Sequence, residues 1–264
     1  MVSGTGLGVD TRHILILGGT TEARDLAERL AGRTDIAVTL SLAGRTLDPA
    51  PQPVPVRAGG FGGVEGLAAY LRENAIDLLI DATHPFARQI SANAVSASAA
   101  TGVPLLRLER LGWDETEGDR WHRVGSMAEA VTALGDEPRR VLLAIGRQDA
   151  RMFDAAPHHH YLVRSVDPVD PPLAAPHVEY LLARGPFALE AEVELLKQHQ
   201  IEVIVSKNSG GDATHGKIVA ARILGLAVVL VERAEGGGGH RAETVEDALA
   251  LAAHLLDPAR KRGV

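Results

Sequence analysis

The residues that first suggest chemistry are Gly18-Gly19-Thr20-Thr21-Glu22-Ala23, directly after the apolar run Ile14-Leu15-Ile16-Leu17. A buried strand that turns sharply into a helix aims backbone N–H groups and the helix N-terminus at one point, an arrangement that cradles a pyrophosphate. Against the G-x-G-x-x-G spacing of dinucleotide sites, Gly18 takes the first position, Thr20 the second and Ala23 the third, so the second glycine is missing. The same residues equally describe a tight strand–helix turn with Thr20 or Thr21 as N-cap. The end of the following strand, Ser41-Leu42-Ala43-Gly44-Arg45, shifts the balance. An NAD site usually places Asp or Glu there for the ribose 2′-hydroxyl. Here no carboxylate repels a 2′-phosphate, and Ser41 and Arg45 can donate hydrogen bonds to one, beside a backbone kept open by Gly44. The pattern favours NADP over NAD, although Arg45 taken alone is an ordinary solvated loop cation.

Asp81-Ala82-Thr83-His84-Pro85-Phe86-Ala87 follows another apolar run, with Pro85 suited to the first turn of a helix. Thr83 and His84 then fall at the carboxyl edge of a parallel sheet, where ligands bind, or else cap the helix. A third constellation, Ser206-Lys207-Asn208-Ser209-Gly210-Gly211, sets a strand-end lysine in a polar turn with accessible backbone, an anion nest. His158-His159-His160 does not read as a metal site, because consecutive residues rarely face one ion; an exposed polar turn is expected instead.

The elements that must position these residues follow from the pattern of apolar runs. Short β-branched runs alternate with amphipathic stretches, which predicts βα units and a mainly parallel sheet. Strands are expected at 14–17, 37–41, 54–57, 77–80 and 105–108, with helices at 22–31, 64–73 and 85–100: one doubly wound half. The polar, acidic segment 112–120 interrupts the rhythm and marks a boundary, giving expected domains 1–111 and 112–264. The second has expected strands at 141–145, 161–165, 203–206 and 228–231 and helices at 127–134, 189–199, 217–224 and 245–256. Leu142-Leu143-Ala144-Ile145-Gly146 before Ala150-Arg151 echoes Ile14 to Gly18 before Ala23-Arg24. Segments 48–55 and 167–176 read as surface loops, and the glycine run 236–239 as a linker before the last helix.

Composition removes whole classes of function. With 264 residues and no cysteine, the chain has no thiolate nucleophile, iron–sulfur ligand or cysteine-based zinc site, so redox chemistry needs a borrowed cofactor. A net charge of −7 and 3% aromatic residues argue against a nucleic-acid binder. The apolar runs fall well short of the ~20 residues of a membrane span, and the glycine-rich residues 1–11 lack the form of a secretory signal. A cytoplasmic protein, a monomer or small homo-oligomer, is expected.

Taken together, these motifs, with Leu106-Arg107-Leu108-Glu109-Arg110, Ile145-Gly146-Arg147 and Arg184-Gly185-Pro186-Phe187, resemble those of the precorrin-6A reductase family, which includes the cobalt-precorrin-6A reductases. The resemblance runs nearly end to end. Leu111 stands where relatives often have Pro, and Ser206 where they often have Thr; neither change removes a functional group. The resemblance implies two Rossmann-like domains with an interdomain cleft, NADPH as hydride donor, and reduction of one ring double bond of precorrin-6A, or its cobalt form, to precorrin-6B in cobalamin biosynthesis. The cofactor residues would be Gly18, Gly19, Thr20, Thr21, Glu22, Ala23, Ser41, Gly44, Arg45, Thr83 and His84. An anionic tetrapyrrole needs cationic donors for its carboxylate arms, and Arg88, Arg107, Arg147, Arg164, Arg184 and Lys207, with Asn208, Ser209 and Gly210, are the candidates. Hydride transfer needs no side-chain nucleophile. A proton must still reach the neighbouring carbon, from water or a side chain, with His84 and His215 as candidates.

Two other readings compete. A short-chain-type carbonyl reductase would carry Tyr-x-x-x-Lys, but Tyr70, Tyr161 and Tyr180 are followed four residues later by Asn74, Ser165 and Arg184. A non-catalytic NADP sensor would bind nucleotide without a tetrapyrrole, and the cationic turns of the second half argue against it.

Overall fold

Uninterrupted runs of Ile, Leu and Val become strands covered on both faces, since a parallel sheet must be sealed by its own crossover helices. β1 (Arg12–Leu17) shows this most plainly. Ile14 and Ile16 face a core that includes Leu26 and Leu30 on one helix and Ala248 and Ala252 on another. Leu15 and Leu17 face the opposite core, with Leu67, Leu71, Ala94 and Ala97. The alternation is the two-residue period of a strand read against two helical layers. These features belong to a computed structural model that describes residues 11–44, 51–234 and 236–257.

The chain divides into two units: the described parts of Met1–Arg110 with Gly236–Val264, and those of Leu111–Glu235. In the first, β1 is followed by α1 (Thr21–Ala31), β2 (Ile36–Leu42), β3 (Val56–Ala58), α2 (Gly63–Glu73), β4 (Leu78–Asp81), α3 (Arg88–Thr101) and β5 (Leu105–Leu108). The second runs β6 (Trp121–Val124), α4 (Met127–Ala133), β7 (Arg140–Ala144), α5 (Arg147–Ala150), β8 (His160–Ser165), β9 (Val178–Leu182), α6 (Leu189–Gln198), β10 (Val203–Lys207), α7 (Gly216–Leu224) and β11 (Ala227–Val231). The chain then returns to the first unit with β12 (His240–Ala242) and α8 (Val245–Leu255).

The sheet orders are β12-β5-β4-β1-β2-β3 and β6-β11-β10-β7-β8-β9. Every pairing in both is parallel. Read from the far edge, each is the doubly wound 3-2-1-4-5-6 order of a Rossmann-like sheet. The sixth place is filled crosswise in sequence: β6, which follows the first five strands, completes the second sheet, and β12, which follows the second five, completes the first. The expected domain 112–264 is thereby corrected at its end, because β12 pairs with β5 and Ala242, Val245, Ala248 and Ala252 join the core around Ile14. The glycine run 236–239 leads into that strand rather than straight into the last helix.

Two further expectations change. Helix α3 starts at Arg88 with Ala87 as N-cap, so Pro85, Thr83 and His84 lie in the preceding turn and none of them caps it. His159 is a fully buried core residue rather than part of an exposed turn, its Nδ1 accepting the Arg139 N–H at 3.2 Å. Trp113 packs in the core of the second unit, with the His215 ring centroid 5.6 Å and Lys217 Nζ 4.6 Å from its own ring centroid.

Where the chain enters the second unit it is held by the Lys207–Gly211 turn. Asn208 Oδ1 accepts the Trp113 N–H at 2.7 Å, and its Nδ2 donates to Trp113 O at 3.2 Å and to the Glu232 carboxylate at 3.1 Å. Gly210, at φ 71°, lies so close to the entering backbone that a Cβ there would stand 1.7 Å from Leu111 O. Only glycine satisfies both the left-handed conformation and the contact. Gly210→Ala is expected to destabilise the protein by at least about 3 kcal/mol, seen as a thermal midpoint lower by roughly 6 °C or more; an unchanged midpoint would show that the entering segment does not pack there.

Burial lowers the pKa of His159, helped by the neighbouring His158 and Arg139, and burial lowers that of His215 as well. Both therefore take up a proton less readily in the folded protein than in the unfolded chain, whose histidines titrate near about pH 6.5. Their stabilisation is complete above that pH and is lost as pH falls through it. Urea midpoints should drop between about pH 7.5 and pH 5.5, and less so in His159→Phe; equal drops would exclude His159 as a source.

Candidate functional site

In an open parallel sheet, ligands bind at the carboxyl ends of the strands where the order reverses. In the first unit that point lies between β1 and β4, neighbours in the sheet, and the turns that follow them carry Gly18–Ala23 and Thr83-His84. Gly18 donates its N–H to Ser41 O at 2.9 Å, which ties the turn to the end of β2. Gly19 adopts φ 121°, and a Cβ there would meet nothing within 4 Å, so its surroundings are open. Thr20 is the N-cap of α1: its hydroxyl oxygen accepts the Ala23 N–H at 3.0 Å and its hydroxyl donates to Ala82 O at 2.9 Å. The hydroxyl is thus spent on joining the β1 and β4 turns, which accounts for a threonine at the second fingerprint position. Ala23 is buried in the core. Thr21 and Glu22 begin the helix, where N–H groups lack intrahelical acceptors and the dipole favours an anion. The Glu22 carboxylate is ion-paired with Arg110 and is directed to that partner.

Ser41 is buried at the end of β2, and Gly44 (φ 68°) brings the backbone near Gly59. Arg45 lies outside the described residues. Beside Ser41 stands Arg57 of β3, which sequence reading passed over as the last residue of a strand. Thr83 donates its hydroxyl to the buried Asp81 carboxylate at 2.6 Å, and the exposed His84 accepts the Phe86 N–H through Nδ1 at 3.3 Å.

The second unit repeats the geometry, with its reversal between β7 and β10. After β7 comes Gly146, at φ 86°, then Arg147 and Asp149 on α5; β10 ends at Lys207. Lys207 Nζ meets Asp149 Oδ2 at 2.5 Å. Sequence reading singled out Lys207 and Arg147 here but missed Asp149, for which the echo of the first glycine turn was the available signal. Lys207 and Ser209 carry further interactions within the fold.

Several expected ligand residues have structural work instead. Arg164 is buried and held by both oxygens of buried Glu192, with its guanidinium 4.0 Å over the Phe187 ring. Arg107 is buried 3.3 Å from Glu109 in the first unit. Asn208 and Gly210 hold the entering chain, as described above. Arg88 is exposed at the start of α3, and Arg184 is exposed after β9. His215 is stacked on Trp113, and its lowered pKa leaves it neutral near pH 7, a poor source of a proton. Burial, reinforced by Arg164, brings Lys217 down to about 7.

Comparison with known proteins agrees with this arrangement. Residues 13–253 match the family described as Precorrin-6x reductase CbiJ/CobK. The chain is 56% identical to the precorrin-6A reductase of a Sinorhizobium species over 94% of its length and 95% of that protein. It is 52% identical to the precorrin-6A reductase of Rhodobacter capsulatus over 84% and 88%. A cobalt-precorrin-6A reductase of Priestia megaterium is 29% identical over 83% and 90%. A solved CobK precorrin-6A reductase superposes with a TM-score of 0.90 at 47% identity, covering 96% of this chain and 100% of that one. Fold, motifs and similarity along nearly the whole chain place it in the precorrin-6x reductase family.

Proposed function

We propose that this protein uses NADPH to reduce one ring double bond of precorrin-6A, yielding precorrin-6B. The observation that carries the cofactor half of this reading is the open glycine turn at Gly19 beside a β2 end that offers Ser41 and no carboxylate. The residues present fit the dinucleotide. Its pyrophosphate would lie against Gly18, Gly19 and the first N–H groups of α1, and its phosphorylated ribose against Ser41, Gly44 and Arg45. Bound NADPH supplies a hydride to one carbon of the double bond. Thr83 and His84, in the turn after β4, stand on the adjoining strand end, where they orient the reacting ring. The neighbouring carbon takes a proton from solvent or from His84, the more accessible of the two histidine candidates.

The substrate's carboxylate arms call for cations with room to reach them. Exposed Arg88 and Arg184 fit that requirement, and half-buried Lys207, already paired with Asp149, and Arg147 stand at the reversal of the second sheet, whereas buried Arg107 and Arg164 do not reach solvent. Greater identity to precorrin-6A reductases than to the cobalt-precorrin enzyme supports the metal-free ring as substrate. Among the described residues no helix is long and apolar enough to cross a membrane.

Mixing the protein with NADPH and precorrin-6A should consume one equivalent of NADPH, followed as a fall in nicotinamide absorbance; no consumption would remove the proposal. Lys207→Met is expected to raise KM for the precorrin by roughly tenfold or more, one lost charge-assisted hydrogen bond, while the Kd for NADPH stays within about twofold. In Arg45→Ala, fluorescence titrations should show the NADPH preference over NADH reduced by roughly tenfold or more; an unaltered preference would exclude that residue.

A further inference from the structure

The parallel register of β2 and β3 sets Ser41 directly opposite Arg57. Directly paired residues of adjacent strands project from the same face, about 4.8 Å apart, and Arg57 Nη1 comes within 3.4 Å of Ser41 Oγ. The guanidinium is fixed from three further directions. Nη1 donates to Gly59 O at 2.5 Å, Nη2 donates to Gly60 O at 2.7 Å, and the group lies 3.8 Å over the ring of Phe61. Among the described residues no carboxylate pairs with it, and its charge is met by carbonyl and hydroxyl oxygens and by the faces of Phe61 and Tyr70. The backbone that follows it carries no side chain at Gly59 and Gly60, where a Cβ would meet nothing within 4 Å among the described residues, and Gly44 approaches the Gly59 backbone. A rigid cation without a carboxylate partner among the described residues, beside the glycines that follow β3, is the arrangement that selects a dianion, because the ordering cost of a long side chain is met before the ligand arrives.

We infer that Arg57, acting with Ser41, is a specificity-determining residue that binds the 2′-phosphate of the dinucleotide. This rests on the NADPH reading above and adds to it a second guanidinium, supplied by β3 and set beside the Ser41 hydroxyl.

The test uses 2′,5′-ADP and 5′-AMP, which differ only in the phosphate at issue, as calorimetric ligands of the full-length protein. The wild type should bind 2′,5′-ADP more tightly. In Arg57→Met, which keeps an unbranched apolar stem over Phe61, affinity for 2′,5′-ADP should fall by roughly tenfold or more, while that for 5′-AMP stays within about twofold. Arg57→Lys, retaining charge but not the fork, should fall between. If Arg57→Met weakens both ligands equally, the residue merely shapes the loop and the inference is overturned; an unchanged ratio overturns it as well. If the wild type itself fails to distinguish the two ligands, the NADPH reading falls and takes this inference with it.

Discussion

The structure depends on one constraint, the need of an all-parallel sheet to be covered on both faces by the segments that connect its strands. In the first unit β1 is the start of both directions of winding, toward β2 and β3 on one side and β4 and β5 on the other. The connections at the reversal part to opposite faces and leave the strand ends between them uncovered. Gly18, Gly19, Thr83 and His84 occupy that gap because their strands end there. The Thr20 hydroxyl bridges the two turns that flank it, which keeps the gap at a fixed width. In the second unit the same geometry sets Lys207 facing Asp149.

Much of this was legible in the sequence, and the pattern of success has a physical cause. Central strands, sealed on both faces, announced themselves as unbroken apolar runs, and their helices as amphipathic stretches. The elements that went unseen were β6, β9, β12 and the single-turn α5. Three are edge strands carrying polar residues, such as His122 and Arg123 in β6 and His240 and Arg241 in β12, because one side of an edge strand faces water. The fate of the C-terminal segment was hidden for a related reason. An amphipathic helix such as α8 records that it covers a sheet, without recording which one.

At the site, glycine turns and strand ends were readable because backbone geometry restricts them to few residue types. Polar residues were harder, since a charged or amide side chain that anchors the fold looks the same in sequence as one that meets a ligand. Arg164 with Glu192 is a bidentate pair inside the core, and breaking it would strand a buried charge. Asn208 offers its amide to the Trp113 backbone much as a neighbouring strand would. Arg57 and Asp149 were overlooked for the converse reason: each acquires its meaning through a partner elsewhere in the sequence, Ser41 by strand register for one and Lys207 by an ion pair for the other.

The crosswise completion of the two sheets bears on how the polypeptide is made. As the chain leaves the ribosome, its first five strands emerge long before the segment that finishes their sheet. Until β12 and α8 arrive, the β5 edge is unpaired and the apolar surface around Ile14, Leu26, Ile80 and Leu106 lacks part of its cover. The second unit is synthesised entirely within that interval. The earliest-made half is therefore the last to close, and the nascent protein carries a sticky, incomplete edge until its C-terminal segment is made, the condition in which chaperone capture or mispairing competes with folding.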